Sequence, residues 1–256
     1  MKDLPPDEPF FFRPEMGTDP QIVMTGDDAH HVSVQRLRRG DRISLFDGAG
    51  AIARCVIRDI GRSQVRVEVQ ARRHEPVPPL RLNLYCAVPK GDRVAVLLDM
   101  ATQFGMTQFT PVQWERSVVE PGPRATERWR RICLEACKQS RRAYLPAITA
   151  PMSPISALAA AEGAGDRVLV AHPGDDSLPL VQVGRAHAAS FALFIGPEGG
   201  LTKPETEMLR QRNPCFVELG RRILRIEAAA AMLLCAVQIL VASPNENCSQ
   251  TGTQAR

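Results

Sequence analysis

The sequence predicts an α/β protein in two parts, a small antiparallel β-barrel followed by a larger domain built on a mostly parallel sheet. Three observations carry this expectation. Short β-like runs follow one another at hairpin spacing between Arg42 and Gln70. The stretch from His74 to Leu80 carries Pro76, Pro78 and Pro79. Beyond it, continuous apolar runs alternate with segments of helical period.

The opening residues, Met1 to Pro9, are acidic and proline-rich and lack the apolar stretch of a signal peptide, so none is expected. Arg42 to Phe46, Ile52 to Ile57 and Val65 to Val69 read as strands, with turn signals at Asp47-Gly48 and Gly61-Arg62-Ser63. The segment Asp47-Gly48-Ala49-Gly50-Ala51-Ile52-Ala53 formally matches a GxGxxA dinucleotide motif. That motif needs a helix next, whereas Ile52 to Ile57 reads as strand, so a hairpin turn is expected instead. The prolines make a stiff connector and the domain boundary, which gives a first domain over 1–75 and a second over 76–242.

In the second domain Leu80 to Val88 reads as a buried strand, and Arg93 to Phe104 as a helix ended by Gly105. Phe109 to Val112 is a strand, Thr126 to Arg142 an amphipathic helix. Val168 to Ala171 and Phe191 to Ile195 are apolar runs of the kind buried inside parallel sheets. Pro204 to Arg212 and Ile226 to Val241 read as helices. Residues 243–256 are polar, without helix caps, and are expected to be disordered.

Composition narrows the class. Of 256 residues, 44% are hydrophobic and 23% charged, as in a soluble globular protein. The longest apolar run, Ala228 to Ala242, is interrupted by Gln238 and falls short of the ~20 residues that span a bilayer, so no membrane association is expected. The seven cysteines include no CxxC pair, and Cys133 and Cys137 have a helix-face spacing. With no Cys/His cluster, no metal site is expected, and a reducing cytoplasmic compartment fits.

Net charge is only +4 but unevenly spread: residues 36–73 hold ten arginines against four carboxylates, and 116–142 eight basic residues against three. Such segments are candidate phosphate-contacting patches. They are equally compatible with a composition that fills solvated positions with arginine, since only Lys2, Lys90, Lys138 and Lys203 among the basic residues are lysine.

Two loops stand out. In Phe194-Ile195-Gly196-Pro197-Glu198-Gly199-Gly200-Leu201-Thr202 a strand runs into three glycines, with Thr202 placed as N-cap, Pro204 in the first turn and Glu205 three residues on. Glycines let backbone amides approach a ligand, and the loop falls beyond a strand end, where α/β sheets bind ligands. A tight turn without a ligand is the alternative. In Leu219-Gly220-Arg221-Arg222-Ile223-Leu224-Arg225-Ile226-Glu227, three arginines precede an alanine-rich helix, as an anion site or as a basic surface loop.

These two motifs, at this spacing, resemble the RsmE family of ribosomal RNA uridine-N3 methyltransferases, of the SPOUT superfamily. The resemblance extends through Thr110-Pro111-Val112, Glu115-Arg116-Ser117, Ala136 to Arg142 with Pro146, and His172-Pro173. In the first domain it covers His30, Arg36, Gly40-Asp41 and Leu45 to Gly48. It implies a PUA-like RNA-binding barrel before a trefoil-knotted α/β domain, working as a cytoplasmic homodimer. The implied substrate is a uridine of 16S ribosomal RNA in the decoding region of the 30S subunit, and the implied methyl donor is S-adenosylmethionine, without a metal. Three loops would hold that donor: His172 and Pro173; Ile195, Gly196, Pro197, Gly199 and Gly200; and Leu219, Gly220, Ile223, Leu224 and Arg225. The sequence departs from the family at Gln103 and Lys138, each at a usual glutamate, and at Ile226 and Ala228, where threonines usually flank Glu227. A SPOUT enzyme for another RNA position, or an RNA-binding assembly factor on a decayed scaffold, are the competing readings.

Uracil N3 is a poor nucleophile until its proton leaves, so positioning and stabilisation of the uridine anion should supply most of the acceleration. Candidate residues are Arg142 and Arg225 as charge-stabilising donors, with Glu198 as base, as the residue orienting an arginine, or as a brace for its own loop. His30 is read as structural or phosphate-contacting, and Arg36, Arg38, Arg39, Arg93 and Arg116 as phosphate contacts.

Overall fold

A computed structural model describes residues 8–174, 176–185 and 188–242 of the chain; the expected disorder of 243–256 lies outside them. The first domain comprises β1 (Phe10–Phe12), β2 (Gln21–Thr25), α1 (Gly26–Val34), β3 (Arg42–Phe46), β4 (Ala51–Ile60) and β5 (Gln64–His74). They form one sheet in the order β1-β3-β4-β5-β2. The expected hairpins are present, with longer β4 and β5 than the alternation suggested, and pairing is antiparallel except where β1 joins β3 in parallel. Alternation buries Ile22 and Met24 on β2 and Val65 and Val67 on β5 against Val32 of α1. The GxGxxA segment is a hairpin turn: Asp47 Oδ1 accepts from the N–H groups of Ala49 at 2.7 Å and Ala51 at 3.0 Å, and β4 follows at once.

The second domain runs β6 (Arg81–Cys86), α2 (Arg93–Gln103), β7 (Gln108–Pro111), α3 (Ala125–Ser140), β8 (Ala147–Ile148), α4 (Pro154–Gly163), β9 (Arg167–Ala171), β10 (Leu178–Pro179) and a 3-10 turn at Leu180–Arg185. It continues with β11 (Ser190–Ile195), α5 (Lys203–Arg210), β12 (Cys215–Glu218) and α6 (Ile226–Ala242). The seven-stranded sheet has the order β10-β12-β9-β11-β6-β7-β8 and is parallel throughout. Every residue of β11 is buried, the burial expected of a central parallel strand covered on both faces. Two late strands thus lie among earlier ones, β11 between β6 and β9 and β12 beyond β9, and α6 returns across β6, β11 and α2. A knotted chain path requires such an insertion.

The domains meet at a seam. Phe10, Phe46 and Ile52 share a buried cluster with Cys137 and Ala143, and Phe10 stacks on Phe46 with ring centroids 4.3 Å apart. Tyr144 Oη donates to the Glu75 carbonyl at 2.8 Å, and Arg141 Nη2 to the Glu8 carbonyl at 2.6 Å. No described helix is long and apolar enough to cross a membrane.

Candidate cofactor cleft

Parallel register places the three sequence-predicted loops side by side. Ala171 at the end of β9 aligns with Ile195 of β11 and with Val217 of β12. The loops that leave these strands at His172, Gly196 and Leu219 therefore emerge as neighbours at one edge of the sheet, where a topological switch leaves a crevice.

The first loop is tied down locally. The His172 N–H donates to the Val217 carbonyl at 3.1 Å, and Ser177 Oγ to the His172 carbonyl at 2.7 Å. The imidazole stands edge-on to Phe216, and burial pushes its pKa down, with the Asp176 carboxylate opposing and the Arg210 guanidinium adding to the shift. Arg210 grips Asp176 through Nε at 3.0 Å and Nη2 at 2.8 Å, linking this loop to the end of α5.

The glycine loop is braced from behind. Its turn closes with the Gly200 N–H donating to the Pro197 carbonyl at 2.9 Å, and Gly200 has φ +71°. Arg116 packs its stem over Gly199 and donates from Nη1 to the Gly199 carbonyl at 2.8 Å. Glu205 completes the capping box foreseen at Thr202, accepting the Thr202 N–H at 2.8 Å, while its other oxygen accepts the Glu115 N–H at 2.8 Å.

The third loop projects. Gly220 has φ +97° with open space where a Cβ would stand, and Ile223 is 97% exposed. An isoleucine so fully in water, between arginines, is an apolar surface waiting for a cover. Together Arg93, Glu198, Ile223, Leu224 and Arg225 line a cleft of ≈ 480 Å³.

Two of the three catalytic candidates, Glu198 and Arg225, meet in this cleft. The third, Arg142, does not line it: its Nη1 donates to the Thr102 carbonyl at 2.9 Å, at the end of α2. The chain turns there because Arg141 ends α3 in the left-handed region at φ 58°, and burial lowers the Arg142 pKa. Arg93 and Arg116, read as phosphate contacts, stand beside the glycine loop. Arg93 ion-pairs with Glu198, which raises its pKa, and Arg116 braces Gly199. His30, Arg36, Arg38 and Arg39 are exposed on α1 and the loop after it. Of the departures, Gln103 bonds Asp99 at 2.9 Å, Lys138 bonds Glu135 at 2.9 Å, Ile226 is buried and Ala228 exposed. Among the described residues no cluster of His, Cys, Asp or Glu could hold a metal ion.

Sequence reasoning missed Glu227 as a site residue. Its carboxylate is buried beside the cleft, with Oε2 4.0 Å from Arg93 Nη1. The signal was there: a lone charge inside the first turn of an otherwise apolar helix needs a local reason.

Comparison with known proteins identifies the family of both domains. Residues 76–238 match the RNA methyltransferase domain family, and residues 24–70 the RNA methyltransferase PUA domain family. The chain is 34% identical over 231 residues to ribosomal RNA small subunit methyltransferase E of Mycobacterium bovis, covering 85% of this chain and 86% of that one. It is 29% identical over 230 residues to the Bacillus subtilis protein of that name, covering 85% and 90%. A crystal structure of ribosomal RNA small subunit methyltransferase E from Neisseria gonorrhoeae bound to S-adenosyl methionine superposes with a TM-score of 0.81 at 26% identity, covering 91% of this chain and 98% of that one.

Proposed function

Because the chain belongs to the RNA methyltransferase family that includes the ribosomal RNA small subunit methyltransferase E proteins, we propose that it methylates N3 of a uridine in 16S ribosomal RNA. The uridine is the family's position in the decoding region of the small subunit. The observation that carries this reading is that the glycine loop and the loop after β12 line one cleft holding one carboxylate and two guanidinium groups, beside the strand end from which the His172 loop leaves.

The loops fit S-adenosylmethionine. Gly220 and Gly200 leave open space where side chains would stand, so main-chain groups can close on a ligand there, and Ile223 and Leu224 offer apolar cover for an adenine ring. Bound there, the donor supplies an electrophilic methyl group with no need of a metal. Arg225 offers fixed positive charge where a uracil would gather negative charge on O2 and O4. Arg36, Arg38, Arg39 and His30 present a basic surface on the PUA-like domain that suits ribosomal RNA.

A homodimer is part of the proposal. Val96 on α2 is 48% exposed, and Met232 and Ile239 on α6 are 44% and 59% exposed. The two helices pack on each other and each leaves apolar side chains exposed, which a second copy would cover. The protein acts in the cytoplasm, where small subunits assemble.

The test is methyl transfer from labelled S-adenosylmethionine to small subunits lacking the modification, followed by nucleoside analysis. Label in 3-methyluridine is expected. Label in a ribose assigns the enzyme to another RNA position. No label together with no donor binding by calorimetry would mean an assembly factor on a decayed scaffold.

A further inference from the structure

Arg93 faces two carboxylates and satisfies one. It ion-pairs with Glu198, at the exposed tip of the glycine loop, while Glu227 Oε2 is buried, without a hydrogen-bond partner, and 4.0 Å from the same Nη1. That gap exceeds hydrogen-bond reach by only about 1 Å. Burying an ionised carboxylate with an unbonded oxygen is costly. A first-turn acid gains something from the helix dipole, but the usual device, bonding an end-of-helix N–H, is not used by this oxygen. The arrangement thus stores an incentive for the guanidinium to move toward α6. Arg93 Nε is held only by a long 3.3 Å bond to the Lys90 carbonyl, so the group can pivot at the start of α2.

Such a movement solves a chemical problem. While Arg93 occupies the Glu198 carboxylate, Glu198 is a poor acceptor for the uracil proton. We propose that Glu227 is a positioning residue that receives Arg93 as uracil enters, releasing Glu198 to take the N3 proton. The N3–H bond breaks, an O–H bond forms on Glu198, and the electron pair stays on N3; the proton later passes to water. This inference rests on the methyltransferase reading above.

The test compares wild type with Glu227→Gln and Glu227→Asp. Three quantities are measured: donor affinity by calorimetry, kcat and KM on small subunits, and the Arg93 side-chain ¹⁵Nε NMR signal on adding S-adenosylmethionine with a short uridine-containing RNA. Glu227→Gln should lower kcat about tenfold or more while donor Kd and subunit KM stay within about twofold. Glu227→Asp should recover part of the loss. The Arg93 signal should move in wild type and stay still in Glu227→Gln. Unchanged kcat, or kcat and donor affinity lost together, overturns the proposal and leaves the methyltransferase reading standing. A wild type that methylates no ribosomal RNA overturns both. Should Glu227→Gln fail to fold, the wild-type signal decides: one that does not move on adding RNA ends the proposal.

Discussion

The seam between the domains and the cleft at the strand ends are both built around glycines, and they use them in opposite ways. At the seam, a Cβ on Gly50 would lie 2.4 Å from Tyr144 Oη and 2.9 Å from the His74 ring. The missing side chain makes room for the protein's own atoms. At the cleft, Gly200 and Gly220 have positive φ and nothing within 4 Å of a built Cβ. The room there is kept open. Open space at a positive φ also occurs at ordinary turns such as Gly40 and Gly165, so it is their place at the parallel strand ends that singles out Gly200 and Gly220.

The sharpest way to break this contrast is to fill the seam. Gly50→Val should cost at least ~3 kcal/mol, from overpacking against Tyr144 and a φ of +105° that valine resists. Chemical denaturation would show the loss, and donor affinity of the folded fraction should be unchanged. A variant as stable as wild type would mean the seam is not tightly packed. Next comes Arg142→Ala, which removes a charged donor from the Thr102 carbonyl at the helix end. About 2 kcal/mol of stability should be lost. If turnover falls with no loss of stability, Arg142 acts in the reaction and not as the support seen here.

The same contrast explains what the sequence could tell. Helix α5 was legible from Thr202, Pro204 and Glu205 because capping is local, and the box is formed as expected. The position of the glycine loop between β11 and α5 was legible because a glycine cluster ends a strand as clearly as a cap starts a helix. Helix α4 was not foreseen: outside Ala157, Leu158 and Ala161 its alanines give no polar contrast, although Ser153-Pro154 announces its start. Strand β1 is only three residues long, too short for an alternation to show. The roles of Arg93 and Arg116 were hidden for another reason. An arginine's partner is set by tertiary approach, here across 105 residues to Glu198 and 83 to Gly199.

Filling the open side should behave differently from filling the seam. Gly220→Val adds a side chain in open space, at a φ that disfavours it, so stability should fall by ~1–2 kcal/mol while donor affinity drops tenfold or more. Calorimetry beside a melting curve separates the two. Equal donor affinity would remove this loop from the cleft. Arg116→Ala is milder, since it frees the glycine loop without changing its shape. Donor affinity should weaken about threefold, with the affinity for RNA unaltered. A change in RNA affinity alone would return Arg116 to the phosphate-contacting role its charge first suggests.

The smallest effect concerns pH at the first loop. His172 is held below its ordinary pKa chiefly by burial against Phe216, with Asp176 pulling it up and Arg210 pushing it down. The unfolded chain therefore takes up the proton at higher pH than the folded one, and folding is penalised as pH falls below the ordinary histidine value of about 6.5. Stability from this group is complete above that value and declines toward the folded pKa. Because the ring is only half-buried, the melting temperature should fall by on the order of 1 °C between pH 7 and pH 5.5. His172→Gln should remove that part of the decline. A melting curve with the same pH slope in both proteins would show that His172 contributes packing alone, and would make the first loop resemble the seam more than the cleft.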